Sequence, residues 1–482
     1  MEQIDLVEKW CEKVLGAGVK RSLWNVNMGL ILDIFGFTGL AERRARDALE
    51  LDPLDFRASN LVASRVDPKE GIDILKPVVE RLDSDKKWMK DRFNEIQFGK
   101  ILFTLGKLYL ETDQTDLAIQ VQTKAIEVAF TDYGRVIEIL SLYGDKKRWS
   151  DIIASLETIK QKSTESVQGL PELVIESSSY ARLHAIILEA ALKTSKLKLL
   201  EEMYEGAIKL LLERQERTVL GYVRYFYATA LHEQLDRESK ALAQWELALK
   251  EDIPESTSNT ALPYLITKLG PIYLQKARAS GQDKEAIFTW LHKIETLLPE
   301  GVPEKDAPFP PKIYLARYYQ VQGEVIKAKQ ITRSVVEQAL EILSDDDEGN
   351  DIDAYLKFLS VFIPLGDEKN TLATLSIIYS GGDSTNFIVC DGDCGYSWEF
   401  SDEMWWCRDC INMNLCKDCY AKLHEDTLPF RICDKNHEFF HTPKWDSKMK
   451  EIAKDHVPFG DSIIHLDQWK DEIKKGYVDM NK

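Results

Sequence analysis

Cysteine is nearly missing from most of this sequence. Of eight cysteines in 482 residues, Cys11 stands alone in the first 389, and the other seven crowd between Cys390 and Cys433. A disulfide framework cannot be spread over such a chain, and seven clustered thiols are an odd number. A reducing compartment with metal-bound thiolates fits better. The start, MEQIDLVEKW, lacks the basic and apolar regions of a secretory signal. The expected location is therefore intracellular, in cytoplasm or nucleus. No run of 18 apolar residues occurs, so no membrane-spanning segment is expected. Positive charge is also short: 62 Lys and Arg against 80 Asp and Glu give a formal charge of −18. Such a chain repels phosphate backbones, which makes nucleic acid an improbable partner.

Catalytic patterns are scarce too. The Gly99-Lys100 and Gly106-Lys107 pairs lack the preceding glycine and following hydroxyl of a phosphate-binding loop. Neither G-x-S-x-G nor G-x-G-x-x-G is present. His184, His232 and His292 have no serine or cysteine at motif spacing, and neither C-x-x-C pair follows a proline as a zinc deaminase requires. The sequence predicts no enzyme.

What is there is helical in period. From Met1 to about Ser380 few glycines or prolines interrupt the apolar segments. Small residues recur at a spacing of twelve and then seven: Gly29, Ala41 and Ala48; Gly106, Ala118 and Ala125; Ala316, Ala328 and Val335. Ala241, Trp245 and Ala248 fit the second half of the same register, after a first helix YFYATALHEQL. Leu269, Gly270 and Tyr273 open another slot, although the loop before Ala286 is about four residues too long. Antiparallel helices approach closely only where small side chains let their backbones touch. With Leu105, Tyr109, Leu315 and Tyr319 in the neighbouring positions, this register resembles the tetratricopeptide (TPR) family. The resemblance implies a right-handed helical solenoid over residues 1–380. The acidic run Ser344–Asp353 reads as a solvated loop, and residues 381–386 as a flexible linker.

The stretch 387–445 carries the metal chemistry. Cys407/Cys410 and Cys416/Cys419 are C-x2-C pairs, Cys390/Cys394 is C-x3-C, and Cys433 precedes His437 by four positions. Pairs at this spacing present two thiolates to one tetrahedral zinc at about 2.3 Å. The late pair is Cys433/His437 or His437/His441; the first is favoured, since its turn is compact and no thiol is stranded. Ring-type fingers place their fourth and fifth ligands closer together than Cys410 and Cys416 stand here. The order of pairs resembles the ZZ-type zinc finger, from which the C-x3-C pair departs. The resemblance implies interleaved sites, with Cys390, Cys394, Cys416 and Cys419 on one zinc and Cys407, Cys410 and the late pair on another. Two Zn2+ per chain and a small α/β module are expected, followed by a helical tail over 446–482 with segments near Met449–Lys454 and Leu466–Lys475.

The fold class expected is mostly α, a TPR-like solenoid followed by this zinc-stabilised module, with separate cores. The whole arrangement resembles the C-terminal part of fungal proteins in which an NTPase switch precedes TPR repeats. That switch is not in this sequence, so a shortened relative or a fragment is implied. The functional expectation is a non-enzymatic scaffold for protein or peptide partners. The alternative is a ubiquitin-ligase-like adaptor whose zinc module recruits a conjugating enzyme. ZZ-type fingers often capture the free N-terminus of a peptide through acids near the first knuckle, and the resemblance assigns that role to Asp391 or Asp393. Glu399, Asp402, Glu403 and Asp409 follow them, with Trp398, Trp405 and Trp406 as flat apolar surface or as the module's core.

Overall fold

A computed structural model describes residues 21–480 except 86, 165–166, 234, 236, 252–260, 298–310, 346, 381–387, 393, 398–401, 429–430, 443–451 and 453–454. The expected linker, Asp393, and nearly all of the segment Met449–Lys454 lie outside the described residues. The chain forms two compact units, Met1–Leu210 and Leu211–Lys482. This grouping by contact differs from the division by composition near residue 380. Among the described residues, no helix is long and apolar enough to cross a membrane.

Both units are built mainly from consecutive antiparallel helices, and the twelve-and-seven positions are where they meet. In the first unit, helix Arg21–Ile34 packs on Thr38–Leu51, and Arg92–Glu111 on Thr115–Ala129. Ala41, Ala48, Ala118 and Ala125 are buried. A Cβ on Gly29 would stand 3.1 Å from both the Ala41 carbonyl oxygen and Leu61 Cδ2, and one on Gly106 would stand 2.5 Å from Gln122 Cγ. Leucine at Gly29 is thus expected to cost about 1–3 kcal/mol through overpacking. Gly39, whose Cβ would meet nothing within 4 Å, is the control. Urea midpoints of Gly29→Leu and Gly39→Leu that shift equally would remove the register.

His184 sits inside the first unit as a packed residue. It lies on helix Ala181–Lys193, and its Nε2 stands 3.0 Å from the Ser177 carbonyl while Nδ1 stands 2.6 Å from the Tyr204 hydroxyl. The carbonyl can only accept, so Nε2 carries the proton and Nδ1 accepts from the tyrosine. Burial, only partly offset by that carbonyl, lowers its pKa from 6.5 to about 4. The folded state therefore keeps a neutral imidazole that the unfolded chain protonates near pH 6.5. Its stability contribution is whole above pH 6.5 and is lost as the pH falls from 6.5 toward 4, by about 1.4 kcal/mol per unit at most. Denaturation midpoints measured across that window should flatten in His184→Phe; equal slopes in both proteins would reject the assignment.

In the second unit, Arg217–Glu233 pairs with Glu238–Glu251, and Lys312–Val321 with Val325–Ile342. Ala241, Trp245, Ala248, Ala316, Ala328 and Val335 are all buried between helices. The slot with the overlong loop departs from the register. Gly270, on helix Leu262–Ala279, faces the ring of Tyr314, which a Cβ would approach to 2.2 Å, while Ala286 is only half-buried.

The cysteine-rich module is a three-stranded antiparallel sheet. Strand β1 (Met404–Cys407) lies between β2 (Asn414–Cys416) and β3 (Phe439–Thr442), and helix Lys417–His424 follows β2. The tail corrects the expectation of an all-helical segment. It contains a hairpin of β4 (His456–Phe459) and β5 (Ser462–His465), turned at Gly460 with φ +65°, before helix Leu466–Ile473. Alternation in HVPFGDSIIH is the strand signal that a helical reading passes over. The tail does pack back. Trp469 donates to Asn370 Oδ1 at 2.9 Å and meets Phe358 edge-on, while the Tyr477 hydroxyl donates to Asp367 at 2.9 Å. These contacts close the pair Asp351–Leu365 and Glu368–Ser380.

Candidate metal centre

Two groups of four ligands converge in the module: Cys390, Cys394, Cys416 and Cys419, and Cys407, Cys410, Cys433 and His437. Each group's ligand atoms lie within 4.8 Å of one another. The interleaving comes from the sheet. Antiparallel pairing of β1 with β2 sets Cys416 opposite Met404, so Cys407 and Cys416 stand at opposite ends of the strand pair and fall in different groups.

The first group is shaped by backbone donors. Cys390 Sγ accepts from the N–H groups of Gly392 at 3.4 Å and Cys416 at 3.2 Å, and Cys394 and Cys416 Sγ are 3.8 Å apart. A Cβ on Gly392 would lie 2.4 Å from Cys419 Sγ and 3.3 Å from Cys390 Sγ, so only glycine leaves the cradle open. In the second group Cys407 Sγ accepts from the Cys410 N–H at 3.2 Å, and Asn412 takes φ +59° to turn the knuckle. Asp434 then caps the Cys433 turn by accepting from the Asn436 N–H at 2.9 Å, and its carbonyl takes the His437 N–H at 3.0 Å.

His437 Nδ1 stands 3.5, 3.3 and 3.4 Å from the sulfurs of Cys407, Cys410 and Cys433; Cys433 is 3.6 Å from Cys407 and 3.8 Å from Cys410. A tetrahedral ion with Zn–S near 2.3 Å and Zn–N near 2.0 Å demands ligand separations of roughly 3.5–3.8 Å. Both donor sets, four sulfurs in one and three sulfurs with a nitrogen in the other, fit a closed four-coordinate divalent ion of zinc's softness. Neither leaves a position for a reacting water. His441 lies elsewhere: it stacks on Trp405 with centroids 4.5 Å apart, and Glu403 is 3.5 Å from its Nε2.

Sequence reasoning missed one pattern here. His437-Glu438-Phe439-Phe440-His441 spells H-E-x-x-H, which serves zinc hydrolases only on a helix, where both histidines share a face. These residues enter strand β3, so the two rings part, and Glu438 is 2.8 Å from Arg317.

The acids after the first knuckle separate by environment. Glu399 and Trp398 are outside the described residues. Trp406 is core, its Nε1–H donating to Thr442 at 2.9 Å, whereas Trp405 stacks outside on Tyr420 and His441. Asp409 is only 2% exposed. It accepts from Arg278 at 2.9 Å, from Arg317 at 2.8 Å and from the Glu438 N–H at 3.1 Å. Burial alone would raise its pKa, yet Arg317 and Arg278 outweigh that and hold the carboxyl below its ordinary range. The module and the helices of this unit therefore share a core, where separate cores were expected.

Asp391 stands at the mouth of a cleft of about 290 Å³, lined by Trp245, Lys268 and Gln275 from the helices and by Asp391, Met413 and Arg431 from the module. It remains accessible, but its carboxyl is crowded enough that burial pushes its pKa up to about 6, against the pull of the Asn414 N–H and Lys268. One oxygen accepts the Asn414 N–H at 2.8 Å. Trp245, also among the lining residues, is fully buried, and its Nε1–H is enclosed without an acceptor.

No family model matches the sequence, and no curated protein matches it. Among solved structures, the crystal structure of the P58(IPK) TPR domain is similar over 75% of this chain and 93% of its own, at 14% identity and a TM-score of 0.20. So loose a superposition adds nothing to the packing described above, which carries the helical reading by itself.

Proposed function

We propose that this chain is a non-enzymatic scaffold for protein or peptide partners, with a ZZ-like module that holds two structural Zn2+ ions. The helical pairs, in a TPR-like register, would carry a peptide or partner helix. The cleft with Asp391 at its mouth carries the second half of the reading. A free peptide N-terminus would place its ammonium on the Asp391 oxygen that faces no backbone donor. Its first side chain would lie against Met413, which lines the same cleft. A site of this volume suits one or two residues, being at the small end of ligand pockets. Asp393, outside the described residues, is the alternative acceptor. The ubiquitin-ligase-like alternative needs an open second knuckle for a conjugating enzyme, and the burial of Asp409 between two arginines argues against it.

Charge-assisted hydrogen bonds of about 1.5–3 kcal/mol make the expected effect roughly 10- to 100-fold in affinity. A peptide array with free and acetylated N-termini should show binding only to free ends by the wild type, and little binding by Asp391→Asn or by Asp391→Asn/Asp393→Asn. Binding that ignores acetylation, or survives the double substitution, ends this part of the reading.

A further inference from the structure

We propose that the metal held by Cys407, Cys410, Cys433 and His437 fastens the helices of the C-terminal unit, with Asp409 as the residue that transmits its presence. Asp409 sits inside the knuckle, between two of the ligands, so the metal fixes where its carboxylate points. One oxygen of that carboxylate takes Arg278 from helix Leu262–Ala279 and Arg317 from helix Lys312–Val321. Arg317 goes on to the Pro364 carbonyl of helix Asp351–Leu365 at 3.1 Å. The other ligand loop joins the same cluster, since Glu438, next to His437, donates its N–H to Asp409, and its carboxylate pairs with Arg317 at 2.8 Å. Arg408 adds a 2.8 Å pair to Glu368 on the next helix.

Arg317 and Asp409 are 4% and 2% exposed at their side chains, so neither charge can turn to water when the other leaves. Removing the ion frees both ligand loops at once and withdraws the carboxylate from two guanidinium groups. The helices it joins are far apart in sequence, and around Gly270 and Tyr314 they depend on close fit. The other four-cysteine centre has no comparable link: among the described residues its approach to these helices is Asp391, beside Lys268. One centre is thus a strut of the whole unit, and the other a staple of the module alone.

The inference rests on the proposal that both centres hold zinc, and the test separates the two. Zinc content by elemental analysis and amide hydrogen exchange are measured on the full chain. Wild type without zinc defeats the metal reading. Given two zinc ions, Cys433→Ser should lose one and speed exchange in Leu262–Ala279 and Lys312–Val321 by about tenfold or more. Cys394→Ser should also lose one ion yet leave those helices as protected as in wild type. Asp409→Asn should keep both ions and still deprotect the same helices, and it carries the test should Cys433→Ser fail to fold. Helices that stay protected in Asp409→Asn, or that open equally in Cys394→Ser, overturn the coupling.

Discussion

Alanine at His437 is expected to lower the zinc content from two ions per chain to one, while alanine at His441 leaves it at two. The four-ligand group built on Cys407 contains His437 Nδ1 within 3.5 Å of each sulfur. His441 is stacked on Trp405 instead. A structural zinc site is worth roughly 10–16 kcal/mol of folding free energy in finger peptides, so losing its nitrogen ligand should lower the module's melting temperature far more than an ordinary surface change. His441→Ala removes a stacking partner, worth about 0.5–1.5 kcal/mol, and a half-exposed contact with Glu403. The opposite pattern of zinc loss would restore the His437/His441 pairing and leave Cys433 open to thiol reagents.

The second large effect is expected at Arg317. Arg317→Ala should destabilise the C-terminal unit by about 3–5 kcal/mol, because it breaks a buried pair and strips Asp409 of one of its two guanidinium partners. Replacing the cluster as a whole, by Arg278→Met, Arg317→Met and Asp409→Leu together, should cost less than the single change, since no charge is then stranded. Chemical denaturation of the full chain followed through that unit's transition decides it. A cost for Arg317→Ala below that of an exposed pair such as Arg333 with Glu337 would show that the cluster is not desolvated in solution.

The two outcomes bear on the cleft proposed for the peptide. Cys410, Cys433 and His437 line it together with Trp245 and Lys268. A chain that loses this ion should therefore lose the proposed peptide binding as well, even with Asp391 in place.

The sequence by itself determined the parts whose physics is local. Helix after helix follows from apolar period, and the close approaches at Gly29 and Gly106 follow from small residues recurring at one spacing. The seven clustered cysteines stand out as metal ligands by pair spacings that a tetrahedral ion accepts, whereas the choice of His437 over His441 came only with the folded module. Local rules also mark where reading failed. Within the tail expected to be helical, His456–Phe459 and Ser462–His465 form a hairpin whose strands are only four residues long, too short for period to separate them from a helical turn. H-E-x-x-H stands in the letters from His437 to His441 and sequence reasoning passed over it, while what the pattern means depends on the element that carries it. What only the tertiary structure decided is what joins across long separations. Nothing adjacent to Asp409 announces Arg278 and Arg317, 131 and 92 residues away, and an acid between two metal ligands reads as solvated surface. Burial reverses that reading, because a charge removed from water persists only where opposite charge meets it. The shared core of helices and module, and the cleft between them, exist through those long-range pairs.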